Sequence, residues 1–145
     1  MKVTILRGPS GSGKTTFRRG QQSSAISADD FFMVNGEYVF DPSKLGEAHA
    51  HCFQVFHEHL KAGRSVLVDN TFLQAWEVSP YITLAHSYAA EVELVQFFGE
   101  PEALYQRVCQ RKVGAKLTLE QIEAQVARYE PLPPPLASQC VARRG

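Results

Sequence analysis

The chain carries no excess charge of either sign, no cysteine pairing pattern and no long apolar run, and each absence removes a class of explanation. Lys plus Arg and Asp plus Glu both number 15 in 145 residues. No global field therefore draws the protein to nucleic acid, and any such binding needs a local basic patch. The three cysteines, Cys52, Cys109 and Cys140, are odd in number and form no C-x-x-C pair, which suits a reducing cytoplasm better than a disulfide framework. No apolar stretch approaches the ~18 residues of a membrane span, and no basic segment followed by an apolar one opens the chain. The expectation is a soluble cytoplasmic protein without membrane contact. Internal repeats are absent too, and the length allows one domain with a single core but not two catalytic modules.

What is present is an alternation of short apolar runs with helical patterns. The run Val3-Thr4-Ile5-Leu6 reads as a first strand, followed by a glycine-rich loop and a helix over 14–20. A brief strand at 25–27 ends at Asp29-Asp30, and Asn35-Gly36 between apolar residues signals a hairpin. Asp41-Pro42-Ser43 starts a helix whose apolar stripe runs Leu45, His49, Cys52, Phe53, Phe56 and Leu60 and stops at Gly63. That stripe places His49 in the core. A strand at 65–69, a helix at 77–88, a strand at 92–98 and a helix at 101–111 follow. Thr118 and Gln121 form a capping box before a last helix that ends at Glu130. Such alternation implies an α/β fold in three layers, a mainly parallel sheet covered by helices on both faces. The division expected is a domain over 1–130 and an extended Pro-rich tail over 131–145, with mobility allowed for the tail.

Gly8-Pro9-Ser10-Gly11-Ser12-Gly13-Lys14-Thr15 fills every position of G-x-x-x-x-G-K-[ST], and its setting between strand and helix marks a phosphate-binding loop. The glycines let backbone N–H groups approach phosphate oxygens while the following helix points its positive end at them. Lys14 suits the β and γ phosphates, and the Thr15 hydroxyl suits Mg²⁺, a hard cation that takes few protein ligands. Further polar residues fall just past the carboxyl ends of predicted strands, where open α/β sheets place their ligands. Asp29 is a candidate general base for a hydroxyl, and Asp69, closing Val66-Leu67-Val68-Asp69, a candidate partner for magnesium or its waters. Both aspartates also suit plain turns or caps. Arg107 and Arg111, one helical turn apart, with Lys112 and Lys116 near the same bend, form a candidate cationic lid, or else a solvated helix face. Arg18 and Arg19 read as surface charge or strand contacts. His49, His51, His57 and His59 are spaced so that their rings leave a helix on different sides, which does not gather a metal site.

With these residues assembled, the chain resembles the small P-loop kinases related to the bacteriophage polynucleotide kinase domain and the AAA-annotated kinase-like domains of that group. The likeness runs through Gly8 to Thr16, Ser27-Ala28-Asp29-Asp30-Phe31-Phe32, and Tyr38-Val39-Phe40-Asp41-Pro42 with Ala48-His49. It continues through Val66 to Thr71, Arg107 to Gly114, and Ala127-Arg128-Tyr129-Glu130. The resemblance implies a P-loop kinase fold with an arginine-bearing lid, Asp29 as base for a 5′-hydroxyl, and Lys14, Thr15 and Arg111 acting on ATP and magnesium. It departs at Phe32, where the phage enzyme carries an arginine, and at Phe72, where the family usually has asparagine. These aromatics, with Phe31, are expected either as core or as a surface on which single-stranded bases stack.

The reading is thus an ATP- and Mg²⁺-dependent kinase that phosphorylates the 5′-hydroxyl of DNA or RNA. Asp29, Lys14 and Arg111 are its catalytic candidates, residues 8–16 with Arg107 and Arg111 bind nucleotide, and Thr15 and Asp69 hold the metal. A kinase of nucleosides, nucleotides or other small molecules is the alternative acceptor class, since the loop fixes the donor and says little about the acceptor. A nucleotide-binding switch or interaction protein that transfers nothing is the alternative of another class.

Overall fold

The strands Val3–Leu6 and Val66–Val68 are apolar but for Thr4 and do not alternate with exposed residues, the pattern of strands buried on both faces. The computed structural model, which describes residues 1–21, 23–111 and 116–145, places both near the middle of a five-stranded sheet. In chain order the elements are β1 (Lys2–Arg7), α1 (Lys14–Arg19), β2 (Ser24–Ile26), a 3₁₀ turn (Ala28–Phe32), β3 (Met33–Val34) and β4 (Glu37–Tyr38). A second 3₁₀ turn (Pro42–Lys44) leads into α2 (Leu45–Lys61), then β5 (Val66–Asp69), α3 (Ala75–Ser87) and β6 (Glu91–Gln96). The chain ends with α4 (Pro101–Cys109), α5 (Leu119–Arg128), α6 (Pro134–Ala137) and β7 (Val141–Arg144). The sheet order is β2-β5-β1-β6-β7, and every pairing in it is parallel.

Alternation along the strands divides the core. Val3, Ile5, Val66 and Val68 point to the face covered by α2, through Ala48, Cys52, Phe56 and Leu60, and by α3, through Val78, Tyr81, Ile82 and Ala85. Leu6, Leu67 and Val95 point to the other face, where Phe17 of α1 packs on them with Phe97. Leu104 and Val108 of α4 meet Ile122 of α5 in a separate apolar contact. The expected three-layer α/β/α arrangement is therefore present, with the α4–α5 pair as an appendage beside the glycine-rich loop. No helix among the described residues is long and apolar enough to cross a membrane.

Several local expectations are corrected. His49 and Leu45 are exposed, because α2 turns Ala48 rather than His49 inward, in line with Cys52, Phe56 and Leu60. The segment after Glu130 is not simply extended: it forms α6 and then β7, which pairs with β6 in the register Glu93↔Val141 to Gln96↔Arg144. Arg143 is drawn there by Glu93, Nε to Oε1 2.9 Å, and by the ring of Phe17. Helix α4 ends at Cys109, so Arg111 lies beyond it. Lys112 and Gly114 lie outside the described residues.

A residue that carried no weight in the sequence ties these elements together. Arg7 ends β1 and is 0% exposed. Its Nε donates to Phe72 O at 2.9 Å, its Nη2 to Leu73 O at 3.0 Å and Glu130 O at 2.8 Å, and its Nη1 to Gln96 Oε1 at 3.2 Å. Tyr129 lies under the guanidinium, 4.7 Å from ring centroid to Cζ. Burial holds the Arg7 pKa below its usual value, countered by the charges around it, yet an arginine stays protonated at any ordinary pH. An unpaired cation here would be prohibitive, and the fork of donors matched to carbonyls is what makes burial tolerable. Arg7→Met is expected to destabilise the fold by about 3 kcal/mol, since it strands buried carbonyls. Urea unfolding with an unchanged m-value should show this, with Arg7→Lys recovering less than half, because an ammonium lacks the planar fork.

Candidate active site

The parallel register sets which residues can meet. Leu6 pairs with Asp69 and Ile26 with Val68, so the loop after β1, the end of β5 and the turn after β2 leave the sheet side by side. These are the positions of the glycine-rich loop, Asp69 and Asp29.

The loop is shaped by close backbone approach. Gly8 and Gly11 have φ +154° and +81°, and a Cβ on either would lie 2.6 Å from a carbonyl oxygen, of Phe97 or Leu104 respectively. Only glycine fits both the space and the conformation. Gly8 N–H donates to Thr71 O at 2.9 Å, fixing the loop to the segment after β5. Gly13, also at positive φ, precedes α1, whose first residues are Lys14 and Thr15. Lys14 is 8% exposed, and its Nζ donates to Gly8 O at 2.7 Å and Pro9 O at 2.9 Å. Burial lowers its pKa to about 8; Arg111 works in the same direction, while Asp69 and Asp29 oppose the fall. A buried ammonium enclosed by a glycine-bent loop, facing carbonyls rather than a carboxylate, is suited to receive phosphate oxygens. Thr15 and Thr16 are exposed at the start of α1.

Asp69 sits deep beside this lysine. Its pKa is raised by burial and pulled back by Lys14 and Arg18. Arg18 spans the acidic groups, with Nη1 3.8 Å from Asp69 Oδ2 and Nη2 3.7 Å from Asp30 Oδ1, and its Nη2 also donates to Ala25 O at 3.3 Å. It is thus both a strand contact and a partner of the acidic cluster. A carboxylate at this depth with an exposed threonine hydroxyl on α1 gives the hard oxygen donors that Mg²⁺ prefers. The residues present therefore fit a magnesium ion carried in with a nucleotide.

Asp29 and Asp30 divide their work. Asp30 turns back as the partner of the Ser27 cap, accepting from Ser27 N at 3.0 Å. Asp29 is exposed, and its Oδ1 accepts from Tyr38 Oη at 3.2 Å. The turn that bears it is anchored by Asn70, whose Oδ1 accepts from Ala28 N at 2.8 Å and whose amide faces Cys52 Sγ at 3.6 Å. Tyr38 and Asn70 had no site role in the sequence reading. The position of Asn70 immediately after Asp69 was the available signal for it; for Tyr38, nine residues from Asp29, there was none short of the folded hairpin.

The lid candidates differ in reach. Arg107 Nη1 donates to Gly11 O at 3.1 Å, and Gln125 Oε1 of α5 accepts from Ser10 N at 2.8 Å, so α4 and α5 both touch the loop. Arg111, past the helix end, acts on Lys14 and Tyr38 through its charge. Phe32 and Phe72 are each 3% exposed and belong to the core, where they offer no stacking surface, while Phe31 is half-buried and packs on Phe32 and His51. The histidines diverge, His51 against Phe31 and His57 with its Nε2 2.9 Å from Tyr88 Oη.

Comparison with known proteins agrees with this geometry. A sequence model of the AAA domain family (AAA_33) matches residues 3–132. Human NEDD4-binding protein 2 is 36% identical over 109 residues, 69% of this chain, and the chain spans only 6% of that protein's length. Among solved structures, the Pnkp1/Rnl/Hen1 RNA repair complex superposes with a TM-score of 0.71 at 23% identity, covering 88% of this chain and 43% of that one. A sugar kinase from Janibacter sp. HTCC2649 superposes with a TM-score of 0.67 at 19% identity, covering 100% of this chain and 84% of that one. At such identities the structural likenesses speak for the fold. The glycine-bent loop, the parallel sheet behind it and a family match across residues 3–132 lead to one conclusion: the chain belongs to the AAA_33 family of AAA domains, with a P-loop kinase fold.

Proposed function

We propose that the protein transfers the γ-phosphate of ATP to a hydroxyl, and that the acceptor is the 5′-hydroxyl of DNA or RNA. The observation that carries this reading is the sharing of one end of the sheet by a buried lysine in the phosphate loop after β1 and an exposed carboxylate in the turn after β2, with β5 and its Asp69 between them. A protein that only bound nucleotide would have no use for that carboxylate, and phosphoryl transfer needs little more than positioning and charge stabilisation. Residues 8–16 hold the triphosphate, Lys14 and Arg111 stabilise charge on the transferred group, Arg107 closes on the loop, and Asp29 takes the hydroxyl proton. Thr15 and Asp69 hold magnesium directly or through its waters, and the ion when bound neutralises phosphate charge. The resemblance of the segments at 8–16, 27–32 and 66–71 to the bacteriophage polynucleotide kinase group supports a polynucleotide acceptor. One feature favours a small acceptor instead: Phe32 is buried where the phage kinase's arginine would lie beside the base, so the acceptor side has one cation fewer. A cytoplasmic setting fits the three unpaired cysteines.

The decisive assay is transfer of label from γ-labelled ATP to 5′-hydroxyl DNA and RNA oligonucleotides, nucleosides, nucleoside monophosphates and sugars. Label on oligonucleotides establishes the reading. Label confined to a small acceptor moves the acceptor class, and ATP binding without transfer to any acceptor overturns the kinase reading in favour of a switch. Asp29→Asn is expected to lower kcat by at least about a hundredfold while the Kd for ATP stays within about twofold. A second test uses the lowered pKa of Lys14. Between about pH 7 and 8 the ammonium is charged with or without nucleotide and the phosphates are ionised, so affinity is nearly flat; above about 8, binding must recruit a proton to Lys14, where the bound phosphate then holds it. The affinity for ATP should therefore fall by up to about tenfold per unit as pH rises above 8. Calorimetry in metal-free buffer measures this, and Lys14→Arg, charged throughout, should bind with no such slope.

A further inference from the structure

The β3–β4 hairpin brings to the site a side chain that phosphate binding does not require. Asn35 and Gly36, at φ 52° and 82°, close it as the two-residue turn that matches strand twist, with Met33 opposite Tyr38. Val39 N–H donates to Phe32 O at 2.8 Å, which fastens the hairpin to the 3₁₀ turn bearing Asp29. The Tyr38 ring sits edge-on to buried Phe32, centroids 6.1 Å apart, and parallel to Phe40 at 6.2 Å. So held, its Oη donates to Asp29 Oδ1 at 3.2 Å. Burial, with the charge and hydrogen bond of Asp29, pushes the phenol up to about 12, which keeps it the donor throughout the neutral range. Asp29 Oδ2 accepts no hydrogen bond among the described residues. Lys14, Asp69 and Arg111 share the field around this carboxylate, and Asp30 is turned back to Ser27.

We propose, resting on the reading of Asp29 as the general base, that Tyr38 is a positioning residue. It fixes one carboxylate oxygen of Asp29 so that the other meets the acceptor hydroxyl. In the reaction the hydroxyl proton passes to Oδ2 while Tyr38 keeps its own. A donor on a carboxylate weakens it as a base, so the gain is geometric: an error of about 1 Å in a reacting group costs about a hundredfold. The hairpin is then a brace for the base, and the ring contacts with Phe32 and Phe40 set the angle of the brace.

The test compares wild type, Tyr38→Phe, Asp29→Asn and Phe40→Leu on whichever acceptor takes label. Tyr38→Phe keeps the ring and removes the hydroxyl. It should lower kcat about ten- to hundredfold with the KM for ATP, the Kd for ATP and the Tm unchanged. Phe40→Leu loosens the ring packing but leaves the Tyr38 hydroxyl in place, and should lower kcat by clearly less than Tyr38→Phe does. The role is overturned if Tyr38→Phe keeps or raises kcat, or if its loss is matched by Phe40→Leu or accompanied by a fall in Tm and weaker ATP binding. An inactive Asp29→Asn beside a fully active Tyr38→Phe removes only the role of Tyr38. An active Asp29→Asn, or no transfer to any acceptor, removes the base assignment and the role of Tyr38 together.

Discussion

One buried cation sets the relations among the parts. Arg7 ends the central strand, immediately before the first glycine of the loop, and its guanidinium gathers carbonyls from the segment after β5 and from the end of α5. Its own carbonyl accepts from Phe97 N and Tyr129 Oη, so neighbours are fastened to both ends of the residue. A charge so enclosed cannot accept looser neighbours, because each lost partner leaves an uncompensated donor in a poorly hydrated place. The loop, the segment carrying Asn70 and Thr71, and the end of α5 consequently share one reference point.

The other electrostatic centre is less settled. Lys14 is desolvated and bonded only to carbonyls, Asp69 is desolvated beside it, and Arg18 bridges two carboxylates at distances too long for strong pairing. A site in which opposite charges lie close yet do not neutralise one another directly is poised to gain from a ligand carrying both signs, such as a triphosphate with its metal. Arg7 is rigid because its partners are complete, whereas Lys14 is responsive because its partners are not.

Much of this was legible in the sequence because it rests on short-range chemistry. The octamer at 8–15 identified its loop, apolar runs gave the parallel strands, Asn35-Gly36 gave the hairpin, and Thr118 with Gln121 gave the start of α5. The failures came where distant residues decide. His49 has the right spacing for the core, but α2 turns the line of Ala48, Cys52, Phe56 and Leu60 inward instead. Phe32 and Phe72 were expected as core or as a stacking surface, and packing against Tyr38, Phe40 and Tyr81 makes them core. Arg7 carries no local signal, since nothing near it in the chain tells that carbonyls from residues 72, 73 and 130 converge on it. The Tyr38–Asp29 contact likewise exists only after the hairpin folds back.

Strand β7 has a further consequence. It is short and exposed along its length, and it carries Arg143 and Arg144, each set over an aromatic ring, of Phe17 and Phe98. Charge on a short border strand discourages another chain from adding itself there. Behind it lies β6, longer and more apolar, whose backbone groups are satisfied on that side by β7 and by Gly145 N–H on Gln96 O. A version of the protein cut where the family match ends, at 132, would bare that edge and replace a guarded border with a templating one. The final thirteen residues therefore guard that edge as well as complete the sheet.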